Sequence, residues 1–144
     1  MHVPTVRSAA RVVVSRDSMP QDEQPLILVV DDFEDNRMLY ATYLSTCGFR
    51  VAEAVDGLDA VEKATALVPA AIVMDLALPG IDGWEATRRL KENPATSHVK
   101  VVALTGHSLE SHAARAREVR CDAFLVKPCL PDKLVETLRG LLAL

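Results

Sequence analysis

Ala71-Ile72-Val73-Met74-Asp75-Leu76-Ala77-Leu78-Pro79-Gly80-Ile81-Asp82-Gly83 is the stretch that decides the fold. Its four leading apolar residues show no polar alternation, the pattern of a parallel strand covered on both faces. The run stops at a single carboxylate, Asp75. Pro79-Gly80 then suits a type II turn, in which proline pre-sets φ and glycine accepts a positive φ. Asp82 and Glu85 are spaced as in a capping box and open a helix that carries the only tryptophan, Trp84, expected to face the core or to act as a surface lid. Asp75 is therefore expected at the carboxyl end of a strand, facing a loop.

The same unit recurs on either side. Leu26 to Val30 is a continuous apolar run ending in Asp31-Asp32, followed by a helix over 35–47 with Met38, Leu39, Tyr43 and Leu44 at helical spacing, closed by Gly48. Phe49 to Ala54 reads as a second strand. Asp56 caps the next helix, whose apolar face is expected to be Leu58, Val61, Ala64 and Leu67, and Pro69 stops it. Val99 to Leu104 is a fourth strand, ending at Thr105-Gly106. Residues 109–119 make an Ala-rich helix whose Arg115, Arg117 and Arg120 favour the negative end of its dipole. Asp122 to Val126 is a fifth strand, ending at Lys127-Pro128. Pro131 opens a last amphipathic helix through Leu134, Leu138, Leu141 and Leu142. Five strands alternating with five helices predict a doubly wound α/β domain with a parallel sheet over residues 25–144. Residues 1–24, with Pro4, Pro20 and balanced charges, read as a disordered N-terminal extension.

Composition narrows the function. The 144 residues are 49% apolar, enough for a core, and a net charge of −4 argues against a nucleic-acid or membrane surface. No apolar stretch reaches the ~20 residues of a membrane span, and no signal-peptide pattern is present. Cys47, Cys121 and Cys129 form no C-x-x-C pair and fit a reducing, cytoplasmic setting.

Four of the five strands end in a polar group: Asp31-Asp32, Asp75, Thr105 and Lys127. Open α/β sheets bind ligands at the carboxyl ends of their strands, so these residues can converge. Three carboxylates a few ångströms apart repel, by roughly 4 kcal/mol per pair at 4 Å and an effective dielectric near 20. A proton or a divalent cation must relieve that, and oxygen ligands without His or Cys favour Mg²⁺. Lys127 and Thr105 then suit a phosphate, and a carboxylate can itself be the nucleophile, giving an aspartyl phosphate; Asp75, standing singly, is the natural choice.

These residues carry a close resemblance, over about residues 26–142, to the response-regulator receiver domain of two-component signalling, of the chemotaxis-regulator type. The matching elements are Leu28-Val29-Val30-Asp31-Asp32, Asp35-Asn36-Arg37, the run from Met74 to Gly83, Ala103-Leu104-Thr105 and Phe124-Leu125-Val126-Lys127-Pro128. The resemblance implies a (βα)5 flavodoxin-like sandwich with strand order 2-1-3-4-5. It implies that Asp75 accepts a phosphoryl group from a histidine of a kinase or phosphotransfer protein. Asp31, Asp32, Asp75 and the backbone carbonyl of Ala77 would hold Mg²⁺. Thr105 and Lys127 would contact the phosphoryl oxygens, and Phe124 takes the place of the switch aromatic. Ala77 and His107 occupy positions that tune dephosphorylation, so the protein would be a signalling switch that dephosphorylates itself rather than an enzyme.

The first helix would meet the phosphodonor, and the last two helices and last strand would present the changed surface. With no output domain expected after Leu144, output falls to another protein, a phosphorylation-dependent homodimer or onward phosphotransfer. The family's Lys-Pro bond is usually cis. Arg120 stands where the family often has glycine, which predicts a left-handed residue there and a gain in stability for Arg120→Gly.

Two other readings compete. An aspartate-nucleophile phosphohydrolase resembling the haloacid-dehalogenase group needs a second Asp two residues after the nucleophile, where Ala77 stands. A binding module that never takes phosphate does not require the five core site residues, all of which are present.

Overall fold

The computed structural model describes residues 23–106, 114–115 and 117–144. Strands β1 (Leu26–Val30), β2 (Arg50–Ala54), β3 (Ala71–Asp75), β4 (Lys100–Thr105) and β5 (Ala123–Val126) form one parallel sheet in the order β2-β1-β3-β4-β5. Helices α1 (Glu34–Thr46), α2 (Gly57–Leu67) and α3 (Gly83–Glu92) follow the first three strands. Residues 114–115 and 117–119 are helical (α4), and α5 (Pro131–Leu142) closes the fold with Pro131 in its first turn. The expected alternation and strand order are thus present. The remainder of the predicted 109–119 helix, and residues 1–22 of the predicted extension, lie outside the described residues.

Strand periodicity distributes the core. Along β1, Ile27 and Val29 pack into one cluster with Tyr40 and Leu44 of α1 and Leu134 and Leu138 of α5. Leu28 and Val30 point the other way, towards Ala60 and Ala64 of α2 and Ala86 and Leu90 of α3. Every residue of β3 is buried, as its unbroken apolar run predicts for the central strand. A third, smaller cluster of Leu76, Trp84, Ala103 and Val119 lies beneath α4.

Two helix faces differ from expectation. On α2 the buried residues are Gly57, Ala60 and Ala64, whereas Leu58 and Leu67 are exposed. The side of α2 that meets the sheet and α3 has room only for small side chains, so the large apolar residues are turned outward. On α1, Leu44 is buried as expected, but Tyr40 and Ala41 join it while Met38, Leu39 and Tyr43 are exposed. The Tyr40 hydroxyl donates to the Cys129 carbonyl at 2.9 Å, which fixes the rotation of the helix and sends Met38 and Leu39 to the surface.

Asp56 and Asp82 both act as N-caps, accepting from the backbone N–H of Asp59 at 2.8 Å and of Glu85 at 2.9 Å. Lys91, at the end of α3, is buried and paired with Asp122 Oδ2 at 2.8 Å while also donating to the Val99 carbonyl. The same Asp122 oxygen accepts from Val101 N–H, so one carboxylate ties α3 to the entrances of β4 and β5. No helix among the described residues is long and apolar enough to cross a membrane.

Candidate functional site

The carboxyl ends of β1, β3, β4 and β5 meet at one edge of the sheet. β1 delivers Asp31, whose N–H bonds to the Ala54 carbonyl of β2 at 3.2 Å. Arg37, in α1, donates to the Asp31 carbonyl at 3.0 Å and to Glu53 Oε1 at 2.9 Å, pinning the end of β1 from behind. β3 ends in Asp75, and Leu76 N–H continues the ladder to Leu104 O. Beneath them α3 starts so close to β3 that a β-carbon on Gly83 would overlap the Asp75 carbonyl. Gly80 takes φ +73°, the positive value its turn requires.

Asp31, Asp32 and Asp75 each place a carboxylate oxygen within 4.8 Å of the others. Asp31 and Asp75 are buried and Asp32 is exposed. Asp31 Oδ1 accepts from Phe33 N–H at 2.9 Å, and its buried Oδ2 has no hydrogen-bond partner. Asp75 Oδ1 accepts from Ala77 N–H at 3.1 Å. Lys127 Nζ sits 3.4 Å from Asp75 Oδ2 and 3.6 Å from Asp31 Oδ2. Its backbone N–H bonds to Thr105 O, and the Lys127-Pro128 peptide is cis. Burial raises the Asp75 carboxyl above the ordinary range, and the Asp31 charge adds to this. The Ala77 N–H and Lys127 act in the opposite direction.

This donor set fits a hard divalent cation. It is all oxygen, its three carboxylates lie within 4.8 Å of one another, and a buried Asp31 oxygen has no hydrogen-bond partner. A cavity of about 420 Å³ opens beside it, lined among others by Asp75, Thr105, Lys127, Asp82, Trp84 and Arg115.

Asp31, Asp32, Asp75, Thr105 and Lys127 are thus at one place. Ala77 is exposed next to Asp75 and supplies the N–H noted above. Phe124 is half-buried on β5, its ring 6.1 Å from that of Trp84, itself 5% exposed. His107 lies outside the described residues. The sequence assigns no role at the site to Arg115, nor to Arg37 or Asp82, although those two lie within the matching elements. The sequence presents Asp82 as a helix cap and Arg115 as a helix-end charge. The coincidence of a lone Trp84 two positions after Asp82 was the available clue to this lining.

The profile of the response regulator receiver domain family matches residues 27–139. The polar-differentiation response regulator DivK of Brucella anthropi is 29% identical over 116 residues, spanning 81% of this chain and 94% of its own. Chemotaxis protein CheY4 of Vibrio cholerae superposes with a TM-score of 0.77 at 26% identity, over 81% of this chain and 98% of its own. The receiver domain of a Pseudomonas aeruginosa sensor histidine kinase has a TM-score of 0.77 at 29% identity, over 84% of this chain and 99% of its own. That structure has a magnesium ion coordinated in its active site cleft. With the family profile spanning most of the chain and the same β2-β1-β3-β4-β5 sheet in place, this chain belongs to the response regulator receiver domain family of two-component signalling.

Proposed function

We propose that the chain is a phosphorylation-operated switch in which Asp75 accepts a phosphoryl group from a histidine of a kinase or phosphotransfer protein. The observation that carries this reading is the position of Asp75: a buried carboxylate with Lys127 at 3.4 Å, grouped with two further acids and open to a cavity also lined by Thr105. In the transfer, the donor's N–P bond breaks and an O–P bond forms at the Asp75 carboxylate, leaving the histidine ring nitrogen with its electron pair. Asp31, Asp32, Asp75 and the Ala77 carbonyl would hold Mg²⁺, whose charge offsets that of the acids and the incoming phosphoryl oxygens. Lys127 supplies a fixed cation and Thr105 a hydroxyl donor to those oxygens.

The same site would also serve hydrolysis: water attacks phosphorus, the O–P bond to Asp75 breaks, and the free carboxylate and inorganic phosphate are left, so the switch resets itself; the identities of Ala77 and His107 would tune its rate. Engagement of Thr105 by the phosphoryl group and inward rotation of Phe124 would change the face formed by α4, β5 and α5. That face would serve a downstream protein or a phosphorylation-dependent homodimer in a cytoplasmic phosphorelay. The Mg²⁺-bearing active site of the P. aeruginosa receiver supports the metal assignment. Ala77, where a phosphohydrolase of this chemistry needs a second Asp, argues against the enzyme reading.

Intact mass after incubation with Mg²⁺ and acetyl phosphate tests the proposal. The expected result is a single phosphoryl adduct, labile to hydroxylamine and absent in Asp75→Asn. Absence of an adduct with both acetyl phosphate and a phosphohistidine donor, in protein shown to bind Mg²⁺, would leave a constitutive binding module instead.

A further inference from the structure

One cation in the wall of the cavity has no role in the scheme above. Arg115 of α4 lines the same cavity as Asp75, Thr105 and Lys127. Its Nη2 lies 3.8 Å from Asp82 Oδ2, and its guanidinium carbon stands 4.9 Å from the centroid of the Trp84 ring. The contact to Asp82 is loose, whereas the guanidinium sits within cation–π range of the ring. A charge-assisted N–H···O bond is about 2.7–2.9 Å long, and an ion pair this exposed is held weakly. Asp82 has its other oxygen committed to the α3 cap, so it does not need Arg115 to stay in place. Lys127 already faces two carboxylates, Asp75 and Asp31. A phosphoryl group on Asp75 brings a charge of about −1.5 to −2 and three acceptor oxygens into this space. A guanidinium, with its planar fork of donors, matches such oxygens better than it matches one carboxylate oxygen at its present distance.

Resting on the assignment of Asp75 as phosphoacceptor, we infer that Arg115 is a second phosphoryl-binding cation. It is parked on Trp84 and Asp82 while Asp75 is bare and moves onto the phosphoryl oxygens when the group arrives. Arg115 sits on α4, so its movement carries occupancy of the site into the helix that flanks it. Trp84 is the chain's only tryptophan, so emission reports on the surroundings of its ring, to which Arg115 and Phe124 both contribute.

The test uses Mg²⁺ with beryllium trifluoride, a non-covalent phosphoryl mimic, on the full chain, with Trp84 emission and calorimetry as readouts. Wild type is expected to bind and to change its emission. Arg115→Gln is expected to bind the mimic about tenfold more weakly, the scale of losing a hydrogen bond between charged groups, and to show a smaller emission change. Arg115→Lys should fall between the two. Mg²⁺ alone should bind wild type and Arg115→Gln equally, which separates a lost phosphoryl contact from a damaged acid cluster. Unchanged affinity for the mimic in Arg115→Gln would overturn the role of Arg115. A wild type that binds Mg²⁺ but not the mimic would overturn the phosphoacceptor assignment itself, and this inference with it.

Discussion

Val68 ends α2 in the left-handed region, at φ 44° and ψ 67°, where a β-branched side chain is strained. Its backbone N–H still bonds to the Ala64 carbonyl, so the conformation is imposed by the helix end rather than by the side chain. Arg120 adopts φ 66° at the end of α4, as the sequence expectation required, but its Nη2 also donates to the Lys91 carbonyl at 2.8 Å. Relief of left-handed strain is of order 1 kcal/mol at either position. At Arg120 the lost hydrogen bond, about 1 kcal/mol, offsets most of that gain. Val68→Gly is therefore expected to raise the urea midpoint clearly, and Arg120→Gly by less. Equal gains would mean that the Arg120 bond to Lys91 contributes nothing. The strain at Arg120 was legible through the family resemblance, which often has glycine at that position. Its partner was not, because Lys91 lies far away in sequence and meets it only through the packing of α3 against α4.

At the scale of elements, strands were read more reliably than helix faces. An unbroken apolar run identifies a buried strand whichever side its residues face, so β1, β3 and β4 were found within a residue of their ends. A helix face depends on how closely its neighbours approach. On α2 the spacing of Leu58, Val61, Ala64 and Leu67 suggested one face, but the buried set is Gly57, Ala60 and Ala64. Small residues carry little hydrophobic signal and yield the core-facing side because only they fit. Two substitutions separate these accounts. Leu58→Gln, at a position 59% exposed, should change stability by no more than about 0.5 kcal/mol. Ala64→Leu, at a fully buried position, should cost about 1–3 kcal/mol through overpacking. Equilibrium urea unfolding measures both, and the reverse ranking would restore the face read from the sequence. The functional side chains were easier because strand ends, unlike helix faces, are marked by a change of chemistry: Asp31, Asp75, Thr105 and Lys127 each stand where an apolar run stops. Arg37 and Arg115 act from helices and carry no such mark.

For the molecule as a whole, the site is a source of instability until it is filled. Asp75 is 5% exposed, and its carboxyl is raised by burial first and by Asp31 second, with Ala77 N–H and Lys127 only partly compensating. Its sign follows from linkage. The folded protein holds this proton more tightly than the unfolded chain, so the favourable contribution is complete below the unfolded value of about 3.9 and is lost as pH rises through the higher folded value. At neutral pH without metal, the ionised Asp75 therefore weighs against the fold. Asp75→Asn, which keeps the shape and removes the charge, is expected to unfold at higher urea than wild type in EDTA at pH 7. That difference should narrow steadily as pH falls towards 4, where wild type regains its proton. Added Mg²⁺ reverses the comparison: a ligand that binds only the folded state contributes about 2.7 kcal/mol at a hundred times its Kd, and the acid cluster of wild type is expected to bind it more tightly than that of the variant. A difference between the two proteins that stays constant from pH 4 to 7 in EDTA would show that Asp75 titrates as an ordinary carboxylate, and that the domain carries no electrostatic strain for a metal or a phosphoryl group to relieve.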